Sequence, residues 1–427
     1  MLLPKNKYLP FFMWLFPLLF FAYQFILRLW PGLMMQTIMQ QFSIDASNFG
    51  MLAAFYYYGY AGMQIPVAIL LEKFGARYTV LVFAILCGTA TLLFTYTSNW
   101  YLAILSRFLI GAGSAVGFLS VSKVISDYFP KQQYAKMIGF SFTFGLMGAI
   151  FGGKPISLCL EAYPWQNVAL TLAAISILIG CGTYLMLGMA KKNPATNSSI
   201  PEQQFRLSNF RIVITSPVIW TLAIANLLMV GCLEGFADVW GVPYLMKAYS
   251  LTKSDAAQLV SIVFFGMLFG GPLLTFLSKQ LNNNYTVIAA CGFGITLVFI
   301  LLLSTNLYSW WWLAALFFVL GIMCCYQVIV FVAGADFVPT NCLGVTIAFI
   351  NCINMLGGSF FHTLIGKLLD LFWTGIHNDV GARNYALESY HSALMLIPIC
   401  ASAGAIIVCI IGRCKTQLSI TTPQRSG

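Results

Sequence analysis

Long apolar runs, interrupted by short polar breaks, dominate this chain of 427 residues. Runs of spanning length fall at approximately 9–36, 47–71, 78–97, 101–127, 137–160 and 166–189. After a polar stretch rich in Asn, Ser, Pro and Gln they resume at 216–246, 255–278, 285–304, 308–336, 343–372 and 390–412. At a rise of about 1.5 Å per residue, each run can cross a hydrocarbon core of about 30 Å as a helix. The pattern predicts an all-α membrane protein of twelve transmembrane helices arranged as two six-helix bundles. The polar stretch sets the boundaries: an N-terminal bundle over 1–190, a cytoplasmic linker over 191–213, and a C-terminal bundle over 214–427.

The break between the second and third runs is the most informative. In IPVAILLEKFGARYTVL, residues 65–81, an apolar helix ends in Glu72-Lys73, turns at Gly75, carries Arg77 and becomes apolar again. A degenerate copy follows about 206 residues later: Pro66 matches Pro272, Lys73 matches Lys279, and YTVL matches YTVI. Three further matches share offsets of about 207 to 209: Thr97–Tyr101 with Ser304–Tyr308, Asp127–Pro130 with Asp336–Pro339, and Gly148 with Gly357. One shared offset across several weak matches indicates internal duplication, so the two bundles are expected to be pseudo-symmetric.

Composition agrees. The chain is 60% hydrophobic and 8% charged, against about 25% charged residues in an average soluble domain. The net charge of +10 is spread too thinly for a nucleic-acid patch. It instead sorts by loop: fifteen basic residues fall on the side of the Glu72–Arg77 turn and four on the other, which predicts cytoplasmic termini. The 12 Cys are scattered through apolar runs without metal-ligand spacing. The basic N-terminus precedes an apolar run without a small-residue cleavage site, so it is expected to be an uncleaved first span.

These features resemble the major facilitator superfamily. The Glu72–Arg77 turn is similar to that family's signature, with Lys73, Gly75 and Arg77 in place. Ala68, Glu72 and Ala76 stand where the signature has Gly, Asp and Arg. Arg107-Phe108-Leu109-Ile110-Gly111 resembles the family's fourth-helix arginine motif, and ILRLWPG with FYYYGYAGMQIPVAILLEKFGAR resembles its bacterial nutrient permeases. The resemblance implies alternating access, with two bundles rocking about a site near the midplane. It also implies a gating role for Glu72, Lys73, Gly75 and Arg77, which would pair with neighbouring helix ends, Asp127 foremost. No GxxxxGK[ST] loop is present for ATP, and no nucleophile, base or metal constellation supports a membrane enzyme. No cofactor or metal is called for.

Charges within spans mark functional candidates, because each costs about 2.5–3.5 kcal/mol on insertion scales. Arg28, Arg107 and Lys154 lie in the first half, Glu234, His362 and Asp238 in the second. Counting along the helices puts the first five at one level, about 9 Å from the midplane. Asp238 lies four residues past Glu234, one turn farther out on the same face. Positive groups facing a carboxylate and an imidazole would suit a ligand of both signs: a carboxylate on a guanidinium, an ammonium on Glu234. An amino acid or short peptide is therefore the expected substrate. Efflux of drugs or siderophore-like metabolites, or transport of organic anions or sugars, is the alternative. Asp238 is also assigned to gating. Tyr23, Gln24, Tyr57, Asn226, Tyr326, Gln327 and Asn354 are candidate lining groups, since polar side chains in spans need partners or a wet cavity. Glu234 is the candidate carrier of a coupled proton. A monomer in a bacterial inner membrane is expected.

Overall fold

The computed structural model describes residues 9–189, 207–304, 309–339, 342–377 and 383–421. Most of the expected linker, including Lys191 and Lys192, lies outside the described residues, as do 305–308 of the second-half repeat.

Eleven helices are long and apolar enough to cross a membrane among the described residues. One of them, Ala46–Tyr96, has 51 residues and holds two spans. Its backbone leaves the helical region at Gly75, where φ is 75° and ψ 169°, a conformation open to glycine and strained for a side chain. The chain reverses there, so the spans number twelve, as the apolar pattern predicts.

Local chemistry sets the ends. The Asp45 side chain accepts the Asn48 N–H at 2.9 Å, and Asn99 accepts from Tyr101 and Leu102. Ser216 caps the helix whose first residue is Pro217. Such caps contribute about 1 kcal/mol each and stop the helix at a defined residue. Exposed Tyr101 and Trp311 begin the fourth and tenth spans, at positions that suit an aromatic belt.

Two of the spans that depart from the regular α-helix bear on the site. The fifth breaks at Gly153 (φ −84°, ψ −107°), because Pro155 has no N–H to give and crowds the residue before it. In the seventh (Pro217–Tyr249), Gly231–Trp240 forms a ten-residue π-helix, every residue of it buried. π segments widen the helical turn and recur at functional sites.

Glycines bring the two halves together. Gly32 of the first span lies against Val239 and Asp238 of the seventh; a Cβ there would sit 2.8 Å from the Val239 Cα. Gly50 of the second span lies against the His362 carbonyl of the eleventh, and Gly366 returns the contact on the Ala46 carbonyl. Packing between helices in lipid depends on such small residues, since burial of apolar surface drives little association there. The polar contacts between the halves run from the midplane to the face that carries Asp45. Arg383 bridges Asp370 at 2.9 Å and Asp45 at 3.8 Å. Asp370 also accepts the Ser47 N–H at 2.7 Å and the Tyr385 hydroxyl at 2.5 Å, and that hydroxyl accepts the Ala46 N–H. Residues of the second half therefore cap the start of a first-half helix, and the halves are latched on this face.

Candidate functional site

One network of buried polar groups crosses the interface between the halves. From the first span, Arg28 presents its guanidinium edge to Asp238 of the π-helix. Nη2 donates to Oδ1 at 3.0 Å, while Nε lies 2.8 Å from Oδ2 but off the hydrogen-bond line. Tyr57 of the second span donates its hydroxyl to Asp238 Oδ2, and Arg28 lies 5.8 Å above the Tyr57 ring. The Tyr57 ring meets that of His362 at 5.4 Å. Both charges are almost fully buried. Such a pair adds little net stability, because desolvation offsets attraction, but removing one partner costs about 3–5 kcal/mol.

Arg107 stands differently. It is 1% exposed and makes no ion pair among the described residues. Its Nη1 donates to the Leu27 carbonyl at 2.9 Å and its guanidinium lies 5.1 Å over Tyr56, but Nε has no partner. Tyr56 in turn donates to Gln24 at 2.9 Å, which connects Gln24 to the site. The notable residue outside the predicted set is therefore Tyr56, one of three consecutive tyrosines whose facing the helical period alone does not settle.

The second half supplies a cluster of unsatisfied groups. Glu234 Oε1 accepts from Asn354 at 3.3 Å and Oε2 has no partner. Asn354 also lies 3.3 Å from Gln327, leaving Asn354 Oδ1 and Gln327 Nε2 unpaired. Both side-chain atoms of Asn226 and both ring nitrogens of His362 are buried and unpaired too. Tyr326 donates to the Asn226 carbonyl at 3.1 Å. Buried polar atoms are nearly always satisfied, so this many in one place mark chemistry beyond packing.

Two predicted residues lie elsewhere. Lys154 does not join the other charges at one level. Beyond the break at Gly153 its ammonium turns to the eighth span, 2.7 Å from Gln258 and 3.8 Å from Asp255, with its side chain 39% exposed. Tyr23 donates to the Leu172 carbonyl at 2.7 Å within its own half. At the opposite face, Glu72 and Lys73 are exposed, and Arg77 donates to the Tyr184 carbonyl and lies 4.1 Å over its ring. Asp127 pairs with Lys123 one turn away at 3.0 Å, not with the Glu72–Arg77 turn. The expected two-signed cavity changes accordingly: Arg28 and Asp238 neutralise one another, and Arg107 and Glu234 make no ion pair among the described residues.

Twelve spans in two halves, meeting over buried charges, define a polytopic membrane protein with the architecture of a carrier. The chain belongs to the Major Facilitator Superfamily, whose family model matches residues 15–362. It is therefore a secondary transporter. An uncharacterized transporter of Bacillus subtilis, YybO, is 24% identical over 60% of this chain and 68% of its own length. A probable sulfoacetate transporter of Cupriavidus necator, SauU, is 22% identical over 41% and 40%. A probable L-galactonate transporter of Escherichia coli is 22% identical over 57% and 56%. The chain thus aligns with only about half the length of the last two. Among solved structures, a bacterial homologue of the lysosomal transporter Spinster, in an inward-facing unoccupied conformation, has a TM-score of 0.71 at 17% identity, covering 96% of both chains. The nucleoside transporter NupG has a TM-score of 0.72 at 14% identity, covering 94% of this chain and 98% of its own.

Proposed function

We propose that the protein moves a small organic anion, a hydroxylated carboxylate or sulfonate, across the membrane by alternating access. Arg107 carries this proposal: it is a buried guanidinium with no carboxylate partner among the described residues. Its forked donors suit a carboxylate or sulfonate. The unpaired amides of Asn226, Gln327 and Asn354 can bond the hydroxyls of the same solute. Relatives named for sulfoacetate and L-galactonate point the same way. The expected amino acid or peptide finds no counterpart among them.

Glu234, buried beside Asn354 and outside any ion pair, is the group on which a coupled proton would travel. The rocking bodies are residues 1–190 and 214–427, joined by the linker at 191–213. The face of the Glu72–Arg77 turn is cytoplasmic and the latched Asp45 face is external, in a bacterial inner membrane, with the carrier acting as a monomer. In this state the latch holds the external side shut, and Glu72, Lys73, Gly75, Arg77 and Asp127 would re-pair when the opposite side closes.

The test is uptake of radiolabelled L-galactonate, D-glucuronate and sulfoacetate into proteoliposomes, with and without a pH gradient. Arg107→Ala should abolish uptake of the anion that the wild type carries. Glu234→Gln should remove the response to the gradient while leaving exchange intact. Transport of lipophilic cations or neutral sugars alone, unaffected by Arg107→Ala, would refute the proposal.

A further inference from the structure

A second concavity lies on the Asp45 face, outside the network described above. It is a cleft of about 290 Å³ at the seam between the halves, near the lower end of the size range of small-molecule sites. Gln36 and Thr37 line it from the first half, and Lys247, Lys253 and Asn384 from the second. Neither lysine joins an ion pair among the described residues. Lys253 is the first residue of its helix, where a cation opposes the helix dipole by about 0.3–1 kcal/mol. Helix stability therefore does not account for it. Beside an apolar wall of Leu33, Met34, Met35, Pro243 and Met246, the cleft sets these two ammonium groups among neutral hydrogen-bonding side chains, a combination that can hold an organic anion.

Its position is equally specific. Gly32 lines the cleft, and through the absent Cβ of Gly32 the first and seventh spans touch. Arg28, paired with Asp238, lies one helical turn deeper. Another wall is Tyr385, whose hydroxyl donates to Asp370 and accepts the Ala46 N–H in the latch. The cleft therefore stands directly over the closed entrance.

We infer that this cleft is a capture site that holds the transported anion before the latch opens, with its acid group on Lys247 and Lys253 and its hydroxyls on Asn384, Gln36 and Thr37. The inference rests on the proposed organic-anion substrate. It assigns a second, shallower binding step, present only on the latched face.

Equilibrium dialysis of radiolabelled D-glucuronate against Arg107→Ala protein isolates the cleft, because that substitution removes the central guanidinium. One salt-sensitive site is expected, weakened about tenfold in Lys247→Gln/Lys253→Gln, consistent with loss of local charge focusing. Equal melting temperatures of the variants will exclude unfolding. In an otherwise wild-type background, the same pair of substitutions should raise KM about tenfold for transport from the cleft side and leave KM from the other side unchanged. Absent binding to Arg107→Ala protein, binding indifferent to the two lysines, or equal changes in both KM values would overturn the inference. Lysine-dependent binding in a protein that transports no organic anion would instead sink the proposed function and leave the site standing.

Discussion

Substituting Asp238 by Asn removes one charge from the buried pair while keeping the side-chain shape. At an effective dielectric of about 20, opposite charges about 4 Å apart attract by roughly 4 kcal/mol. Loss of one partner from a buried pair costs about 3–5 kcal/mol, and the amide oxygen that Asp238→Asn retains places this case near the lower limit. In the proposed cycle the cost falls on one conformation only, because Arg28 and Asp238 belong to different halves and would separate as the latched face opens. About 3 kcal/mol displaces the equilibrium between states by roughly a hundredfold, at 1.4 kcal/mol per decade. Spin labels at Tyr101 and Trp311, which are exposed and lie one in each half on that face, would report the displacement. The background must lack the exposed cysteines Cys159, Cys181 and Cys414. The distance distribution should move to longer values in Asp238→Asn, and Arg28→Met/Asp238→Leu should recover part of the wild-type distribution. If Asp238→Asn leaves the distribution unchanged, the ion pair does not hold this face shut.

Lys154→Ala should alter KM less than twofold in the uptake assay, since its partners are solvent-accessible and such pairs contribute at most about 1 kcal/mol. Gly50→Val should fold yet fail to transport, because a side chain there collides with the His362 carbonyl; wild-type rates would show that the second and eleventh spans never need this approach. Asp370→Asn weakens the latch at Arg383 and Ser47. It should speed labelling of a cysteine placed at Asp45 several-fold, measured as the maleimide reaction rate.

How much of this was legible beforehand depended on the kind of information involved. The twelve spans were, because bilayer thickness imposes run length directly on the sequence. The reversal at Gly75 was, because charge clusters at a tight turn. Arg28, Arg107, Glu234, Asp238 and His362 stood out as polar groups in apolar runs, and the structure buries all five, pairing Arg28 with Asp238 and setting His362 against the Tyr57 ring. Helical counting failed at Lys154, since it assumes a continuous helix and the Gly153 break redirects the side chain. It could not tell which of Tyr56, Tyr57 and Tyr58 face inward; the first two do, and Tyr58 is 43% exposed. Pairing was also hidden: nothing along the chain indicates that Arg28 is satisfied by Asp238 while Arg107 is not. The latch of Asp45, Asp370, Arg383 and Tyr385 joins residues more than 300 positions apart, each ordinary in its own stretch of sequence.

The π-helix at Gly231–Trp240 bears both Glu234 and Asp238, four residues apart. A single helical segment thus carries the carboxylate that pairs with the opposite half and the one proposed to take the proton. Neither can be displaced without dragging the other. Loading and unlocking are then two readouts of one mechanical part, which is how a carrier avoids slipping: an opening stroke taken without the ion would have to bend the segment itself. A break placed between the two carboxylates would uncouple them, and the expected phenotype is a leak instead of an inactive protein.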